Sequence, residues 1–479
     1  DIITFNEERF EWEWSIDDVL CLSISDNVAV LAKSNLSSLP DHTLEVLKVS
    51  ACLGVSFELN ELAIALDMPP TSVLLYIWPA EQQQIIANMG VDMPLIDGDI
   101  VPNSNYTFLH DKLHEASYKL IEDDDLPRLH WRIGLAIYEH CKDIPEELDR
   151  KLLRIVNHFN IGAVNHTHHR QLLIELNNKA ALKAKKNLSF KSMREYLYNV
   201  QSYLPNDHLK RPDHHTLLCY QLLLEAEYFN NNVEPMIQLF DQLNQAEFET
   251  YDKLSLNVIY VRLLACIDEF ETAITVGFEG LSTIGISMAR HPSKLLLFLD
   301  HLFFKFKIKA SDYYSTTIQS NDRSALITKE LLTEVAVIGH NCNYSELSLK
   351  VIFQIIKVCL KSPSHEASAY TYCTYAYVLC IFFKDYKRGY EFGELSLELA
   401  DKYVDDIYIR IKIRHIFSSF VMPWFEPYTT CCEALIRNHD LAMKMEEHEF
   451  GSYSIGNYDI LSLSSNTFLL HDFDQSILK

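Results

Sequence analysis

The sequence predicts an all-α chain, and three observations carry that expectation. Glycine and proline number only 13 and 15 among 479 residues, which leaves too few turns for a sandwich or a barrel. Apolar residues recur at helical spacing along most of the length. From Leu172 onward the helical segments pair across short polar loops, and the second members of successive pairs lie about 40 residues apart, close to the period of helical-repeat solenoids. A chain of 479 residues also exceeds what one core supports, so several units or a solenoid are expected. With 48% hydrophobic and 23% charged residues, the composition is that of a globular protein.

The chain opens on a structured-looking stretch, Phe10 to Trp14, and its first residue is Asp1 rather than Met, so it reads as cut from a longer protein. Leu39 to Leu66 reads as two short helices: Asp41 caps the first, Leu44, Leu47 and Ala51 form its apolar stripe, Gly54 ends it, and the second starts near Glu58. Thr71 is placed as the next cap, followed by an apolar stretch from Val73 to Ile77, a break at Pro79 and a helical run towards Ile86. A polar loop with Pro94, Gly98 and Pro102 leads to a short strand, Tyr106 to Leu109, and a helix from His110 to Ile121. Three helices, a loop and a strand outline a winged helix, a fold often used to read the DNA major groove. Thr71 to Ala87, which would do the reading, has no Lys or Arg and one Glu, so it offers nothing to neutralise phosphates. A packing module is the expected use.

After a helical region from Leu129 to Phe159, hairpins are expected at 172–186 with 190–204, 216–229 with 235–245, 253–266 with 271–281, 325–339 with 346–360, 367–383 with 388–403, and 407–421 with 428–446. A less regular stretch, Ala289 to Arg323, interrupts them, and the tail looks incomplete as a cap. Ala369, Tyr372, Ala376 and Leu379 share one face, with small residues where a facing helix must come close. The aromatic runs, Trp12 with Trp14, Phe303, Phe304 and Phe306, Tyr370 to Tyr377, and Trp424 with Phe425, read as core rather than as a ligand groove. Three parts follow: a winged-helix-like domain at 1–128, a helical connector and first hairpin at 129–205, and an α-α superhelix of hairpins like tetratricopeptide repeats at 206–479.

A net charge of −24, with Lys and Arg scattered, opposes binding to nucleic acid or to anionic membrane. The most apolar run, Leu295 to Phe306, is interrupted by Asp300, His301 and Lys305 and falls far short of the roughly 20 residues of a span. No signal peptide is recognised, and the sequon at Asn105 reads as chance. Cys219, Cys266, Cys359, Cys373 and Cys380 sit in apolar helical stretches as small buried hydrophobes, which places the chain in a reducing compartment, the cytoplasm. Cys431 and Cys432 read as two half-buried thiols. No glycine precedes a lysine as a P-loop requires, and the triplets of protein kinases and the motifs of serine hydrolases and zincins are missing, so no catalytic residue is assigned. His110 and His114 have the i, i+4 spacing of a metal pair, but two ligands do not make a site and no metal is assigned. His166, His168 and His169, and the pair His214 and His215, read as solvated loop histidines.

Three sets of residues resemble a known family. They are FNEERFEWEWSI at Phe5 to Ile16 with the stretch from Asp26 to Ala63, YIWPAEQQQII at Tyr76 to Ile86 with YTFLHDKLHEASYKLI at Tyr106 to Ile121, and GYEFGELSLELADKY at Gly389 to Tyr403 continued by VMPWFEPY at Val421 to Tyr428. They resemble the regulatory region that follows the ATPase core in very large hybrid sensor histidine kinases of bacteria and fungi, most of all the fungal peroxide-stress sensors. In that family a Ser/Thr-kinase-like domain precedes a signalling ATPase, then this region, then sensor, histidine-kinase and receiver domains.

The resemblance implies a non-catalytic regulatory segment that couples an upstream nucleotide-binding module to the kinase domains of a phosphorelay. It implies no cofactor in the segment itself, with ATP or ADP in the parent protein, and partners that are proteins or neighbouring domains of the same chain. FLHD at Phe108 to Asp111 is similar to a motif ending in His-Asp that approaches ADP phosphates in related ATPases, which makes His110 the candidate nucleotide sensor. A helix-capping His-Asp pair without a ligand is the alternative. After the motif this chain departs from the expected Gln-Gln-Ala and has Leu113, His114, Glu115 and Ala116. Two other classes stay open, a stand-alone repeat scaffold and the regulatory region of an ATPase-type transcriptional activator.

Overall fold

The computed structural model describes residues 3–6, 11–14, 36, 38–90, 104–163, 169–307, 322–362, 365–404, 406–445 and 447–464. Strands β1 (Ile3–Asn6) and β2 (Glu11–Trp14) form an antiparallel pair with Phe5 opposite Trp12. The loop residues Pro94, Gly98 and Pro102, and His166 and His168, lie outside the described residues.

Helix α1 (Asp41–Leu53), strand β3 (Ser56–Glu58), helices α2 (Leu59–Leu66) and α3 (Pro70–Gln82), and strands β4 (Ile86–Asn88) and β5 (Asn105–Phe108) follow in order. The strands form one antiparallel sheet with β5 in the centre. The helices and the central strand follow the order read from the sequence, with β3 and β4 added; at three residues each they are too short to show a period. Leu47, Leu59, Leu62, Val73, Ile77, Ile85 and Ile86 are fully enclosed between helices and sheet.

Several local expectations are corrected here. Asp41 is the first helical residue rather than the cap, which is Pro40. Pro69 and Pro70 start α3, because the fixed φ of proline suits a first helical position, and Thr71 lies inside the first turn instead of capping it. The helix does not break at Pro79. The proline deprives the Leu75 carbonyl of its partner, but Leu75 is 74% exposed, so water can serve that group. Ile86 then starts a strand, not a helical run.

Helix α4 (Asp111–Tyr118) leads to α5 (Leu126–Cys141) and α6 (Pro145–Gly162), which pack as a hairpin. Gly162 is required there: a Cβ would lie 2.6 Å from the Trp131 backbone nitrogen. Helices α7 (Arg170–Lys186) and α8 (Phe190–Tyr203) form the next hairpin. The chain divides into two compact units, residues 1–208 with 213–226 and residues 209–212 with 227–479.

Beyond α8 come α9 (His214–Phe229), α10 (Val233–Gln245), α11 (Thr250–Cys266), α12 (Phe270–Thr283), α13 (Lys294–Lys307), α14 (Arg323–Asn341), α15 (Ser345–Lys361), α16 (His365–Ile381), α17 (Tyr386–Tyr403), α18 (Ile407–Ile416), α19 (Tyr428–Lys444) and α20 (His448–Ser464). Pairs α11/α12, α14/α15, α16/α17 and α19/α20 are packed hairpins, so the chain is all-α apart from its short strands. Two helices were not foreseen: α13, inside the stretch read as irregular, and α20, in the tail read as incomplete. The shared face of α16 is confirmed in detail. Ala369 and Ala376 are fully buried, the Ser396 hydroxyl on α17 donates to the Ala369 carbonyl at 2.8 Å, and a Cβ on Gly389 would overlap Cys380 Sγ.

Cysteine and aromatic expectations hold only in part. Cys219, Cys359, Cys373 and Cys380 are buried, but Cys266, at the last turn of α11, is exposed. Cys431 and Cys432 are both buried rather than half-buried, because α19 turns both towards its neighbours. Phe304 and Tyr375 are core, whereas Phe303, Phe306, Trp424 and Phe425 are exposed. Among the described residues no single helix is long and apolar enough to cross a membrane; α2 with α3 would match in length and composition, but the pair is bent by 107° and Leu59, Leu62, Val73 and Ile77 are buried in the core.

Candidate functional site

His110 follows the central strand β5 and caps α4. Its backbone is extended, at φ −148 and ψ 137, and its Nδ1 accepts the Lys112 backbone N–H at 3.1 Å. The preceding Leu109 N–H donates to the Ile85 carbonyl at 3.0 Å, and the His110 carbonyl receives the Leu113 and His114 amides, so the backbone is fixed on both sides. An Nδ1 that accepts carries no proton, so the neutral ring keeps its proton on Nε2. The capping bond therefore leaves an Nε2–H donor on an exposed ring.

The other charges of α4 are already engaged. Lys112 and Lys119 both reach Glu115, at 2.8 and 2.7 Å, and their hydrogen bonds hold its carboxyl down at about 2. Asp111 sits in the first turn, where it answers the positive end of the helix. This end of α4 thus supplies one directed donor rather than a complete phosphate cradle. His114 turns the other way: its Nε2 lies 3.0 Å from the Ala51 carbonyl, and its ring meets Phe108 edge-on. The two rings do not converge, and among the described residues no three His, Cys, Asp or Glu side chains gather as a metal set.

At its far end α4 feeds a buried polar chain. The Tyr118 hydroxyl is 3.0 Å from His130 Nε2 on α5, and His130 Nδ1 is 2.9 Å from His158 Nδ1 on α6. Both imidazoles are buried, which pushes them down to about 4 and about 3 respectively. One proton must lie between the two Nδ1 atoms. Either His130 donates there and accepts from Tyr118, or it accepts there and donates to Tyr118; the chain has two proton arrangements of equal connectivity. Beside it, Glu61 on α2 is 1% exposed, with Oε2 bonded to Arg154 of α6 and Oε1 without a partner. Arg150 approaches Glu58 at 3.7 Å. These contacts tie α2 and the residue before it to the α5–α6 hairpin.

The outer stripe of α3, Thr71, Leu75, Trp78 and Gln82, is exposed throughout and carries no cation, with Trp78 57% exposed. His214 and His215 start α9 instead of lying in a loop, and His169 caps α7 with its ring 5.2 Å from Trp131. His130, His158 and Glu61 match no catalytic pattern. Their one signal in the sequence is a polar residue on an apolar stripe, as His130 stands with Ile133, Gly134, Ile137 and Cys141.

No family model matches the chain. The chain is similar to hybrid signal transduction histidine kinase G of Dictyostelium discoideum, at 20% identity over an alignment 492 positions long, gaps included, that takes in 88% of this chain and 14% of that protein. It therefore spans only a small part of that relative's length. Among solved structures, 94% of the chain aligns with 57% of a signal transduction ATPase with numerous domains that carries a tetratricopeptide repeat sensor, from Pyrococcus horikoshii, at 10% identity and a TM-score of 0.45.

Proposed function

We propose that this chain is the non-catalytic regulatory region of a cytoplasmic hybrid histidine kinase in a stress-responsive phosphorelay, and that His110 senses a nucleotide held by an upstream ATPase module. The observation that carries the reading is the similarity to a hybrid histidine kinase along 88% of the chain. The Nε2–H of His110 suits a phosphate oxygen presented by another module, since one donor can report a ligand that it does not hold alone. An exposed Leu75 and Trp78 without a neighbouring cation suit a domain contact better than DNA. In this reading residues 1–128 receive the nucleotide signal, 129–205 pass it on, and 206–479 present hairpins to protein partners.

The test is ADP affinity of the parent protein with His110→Asn. Asparagine caps a helix well, so stability should stay while the imidazole donor is lost. A charged hydrogen bond of about 1.5–3 kcal/mol corresponds to roughly tenfold or more in affinity. Unchanged ADP affinity would reduce His110 to a cap.

A further inference from the structure

Helix α13 departs from the packing of its neighbours. The hairpin α11/α12 packs directly on α14, and α13 lies outside that sequence, resting on α15. Its inner side buries Leu297, His301 and Phe304, with the His301 ring stacked 3.6 Å from that of Phe383. Its outer side carries Leu295, Leu299, Phe303 and Phe306 at positions i, i+4, i+8 and i+11, a continuous stripe whose members are 67, 51, 48 and 76% exposed. Single exposed apolar residues are ordinary; a stripe along a whole helix marks an interaction surface.

Beside the stripe, α13 and α15 enclose a notch of about 300 Å³ lined by Leu296, Leu299, Asp300, Phe303, Lys350 and Lys357. Its apolar wall and cationic floor would take one large side chain. The one carboxylate in it, Asp300, is bonded to Lys350 at 2.7 Å and Lys357 at 3.0 Å, which hold its carboxyl below the usual range. Lys294, paired with Glu346 at 3.4 Å, stands at one end of the helix, and Lys305 and Lys307, the latter 5.2 Å from the centre of the Phe303 ring, at the other, all exposed. In a chain of net charge −24 this is a local cationic rim around an apolar stripe.

We infer that the outer face of α13 is a docking site for an acidic amphipathic helix of a protein partner. The apolar face of that helix would cover the stripe, one of its large side chains would enter the notch, and its carboxylates would meet Lys305 and Lys307. A second copy of α13 would set Lys305 and Lys307 against the same lysines when parallel, and against a Lys294 that already has its carboxylate when antiparallel. An anionic bilayer would attract the rim and repel the rest of the chain.

The probe is a synthetic 14-residue helical peptide with Leu and Phe along one face and Glu elsewhere, titrated into the whole chain, with a Lys-for-Glu peptide as its counterpart. The Glu peptide is expected to bind and to weaken in high salt, and the Lys peptide to bind at least tenfold more weakly. Leu295→Asp, at a position that takes no part in the core, and Phe303→Asp should each weaken the Glu peptide about tenfold with helical content unchanged. Lys305→Glu with Lys307→Glu should do the same with every apolar side chain of the stripe kept, although Lys307 lies over the Phe303 ring. Equal binding of both peptides would overturn the proposal in favour of a merely adhesive face. Binding to phosphatidylserine vesicles but not to the Glu peptide would overturn it in favour of a membrane. A doubled mass in sedimentation, reversed by Leu295→Asp, would overturn it in favour of self-association.

Discussion

The α5–α6 hairpin and the α16–α17 hairpin both bring two helices into close approach at a glycine, Gly162 in the first and Gly389 in the second, but they differ in what else holds them. The first is bolted by directional groups: His130 against His158, Tyr118 against His130, and Glu61 on α2 reaching Arg154. The second rests mostly on shape, with the Ser396 hydroxyl bond to the Ala369 carbonyl beside it. A Cβ on Gly389 would overlap Cys380 Sγ and Ala369 and Ala376 admit α17, while beyond the hairpin α17 admits the Phe417 ring at Gly393 and stacks Tyr386 on Trp424 at 4.7 Å and Tyr390 on Phe425 at 4.4 Å. Shape fitting has one good solution, because densely packed apolar groups resist sliding. A buried hydrogen-bonded pair has as many states as it has proton arrangements, which would suit the signal transfer proposed for this region.

The largest effect that separates the two regions is expected at Arg154. Arg154→Met would leave the Glu61 carboxylate buried without its partner, at a cost of about 3–5 kcal/mol in chemical denaturation. Glu61→Leu combined with Arg154→Met should recover most of that loss, since an apolar pair needs no solvation. If the double variant is as unstable as the single one, the ion pair is not what joins α2 to α6.

Gly393→Val probes the other mode and should cost about 1–3 kcal/mol by overpacking, with no dependence on pH or salt. A salt-dependent loss would contradict packing by shape.

A smaller and graded effect concerns pH. His130 and His158 ionise near about 4 and about 3 when folded, against 6.5 when exposed, so below pH 6.5 the unfolded chain takes up protons first and stability falls as the pH falls. Each histidine contributes a slope of at most about 1.4 kcal/mol per pH unit between its unfolded and folded values. His158→Gln should flatten the decline between pH 6.5 and 4, measured by thermal melts, while the stability of the α16–α17 region is unaffected. An identical slope in the variant would show that the pair does not govern acid sensitivity.

The smallest effect is at His110. His110→Ala should lower stability by about 1 kcal/mol through loss of the cap, and His110→Asn should restore it.

Much of this architecture was legible because helices of 14 to 19 residues, such as α8 and α14, display a full apolar stripe. The hairpins at α7/α8, α14/α15 and α16/α17 fall within a few residues of where periodicity put them. What escaped was what periodicity does not encode. Three-residue strands have no period, Pro79 inside α3 is tolerated because its missing bond faces solvent, and α13 is apolar on both sides, so no single face declared it a helix. The site was half legible. His110 stood out through its neighbours, and the structure adds the capping bond that sets its tautomer. The Tyr118–His130–His158 chain depends on three helices meeting, and no spacing within one helix encodes such a meeting.

The central claim is that nucleotide state at His110 reaches the α5–α6 hairpin. Hydrogen exchange across α4, α5 and α6 in the parent protein, compared with ADP and with ATP bound, tests it most directly. The predicted result is a difference in protection along these helices that disappears in His110→Asn while exchange without nucleotide stays the same. Equal protection in both nucleotide states would contradict the account.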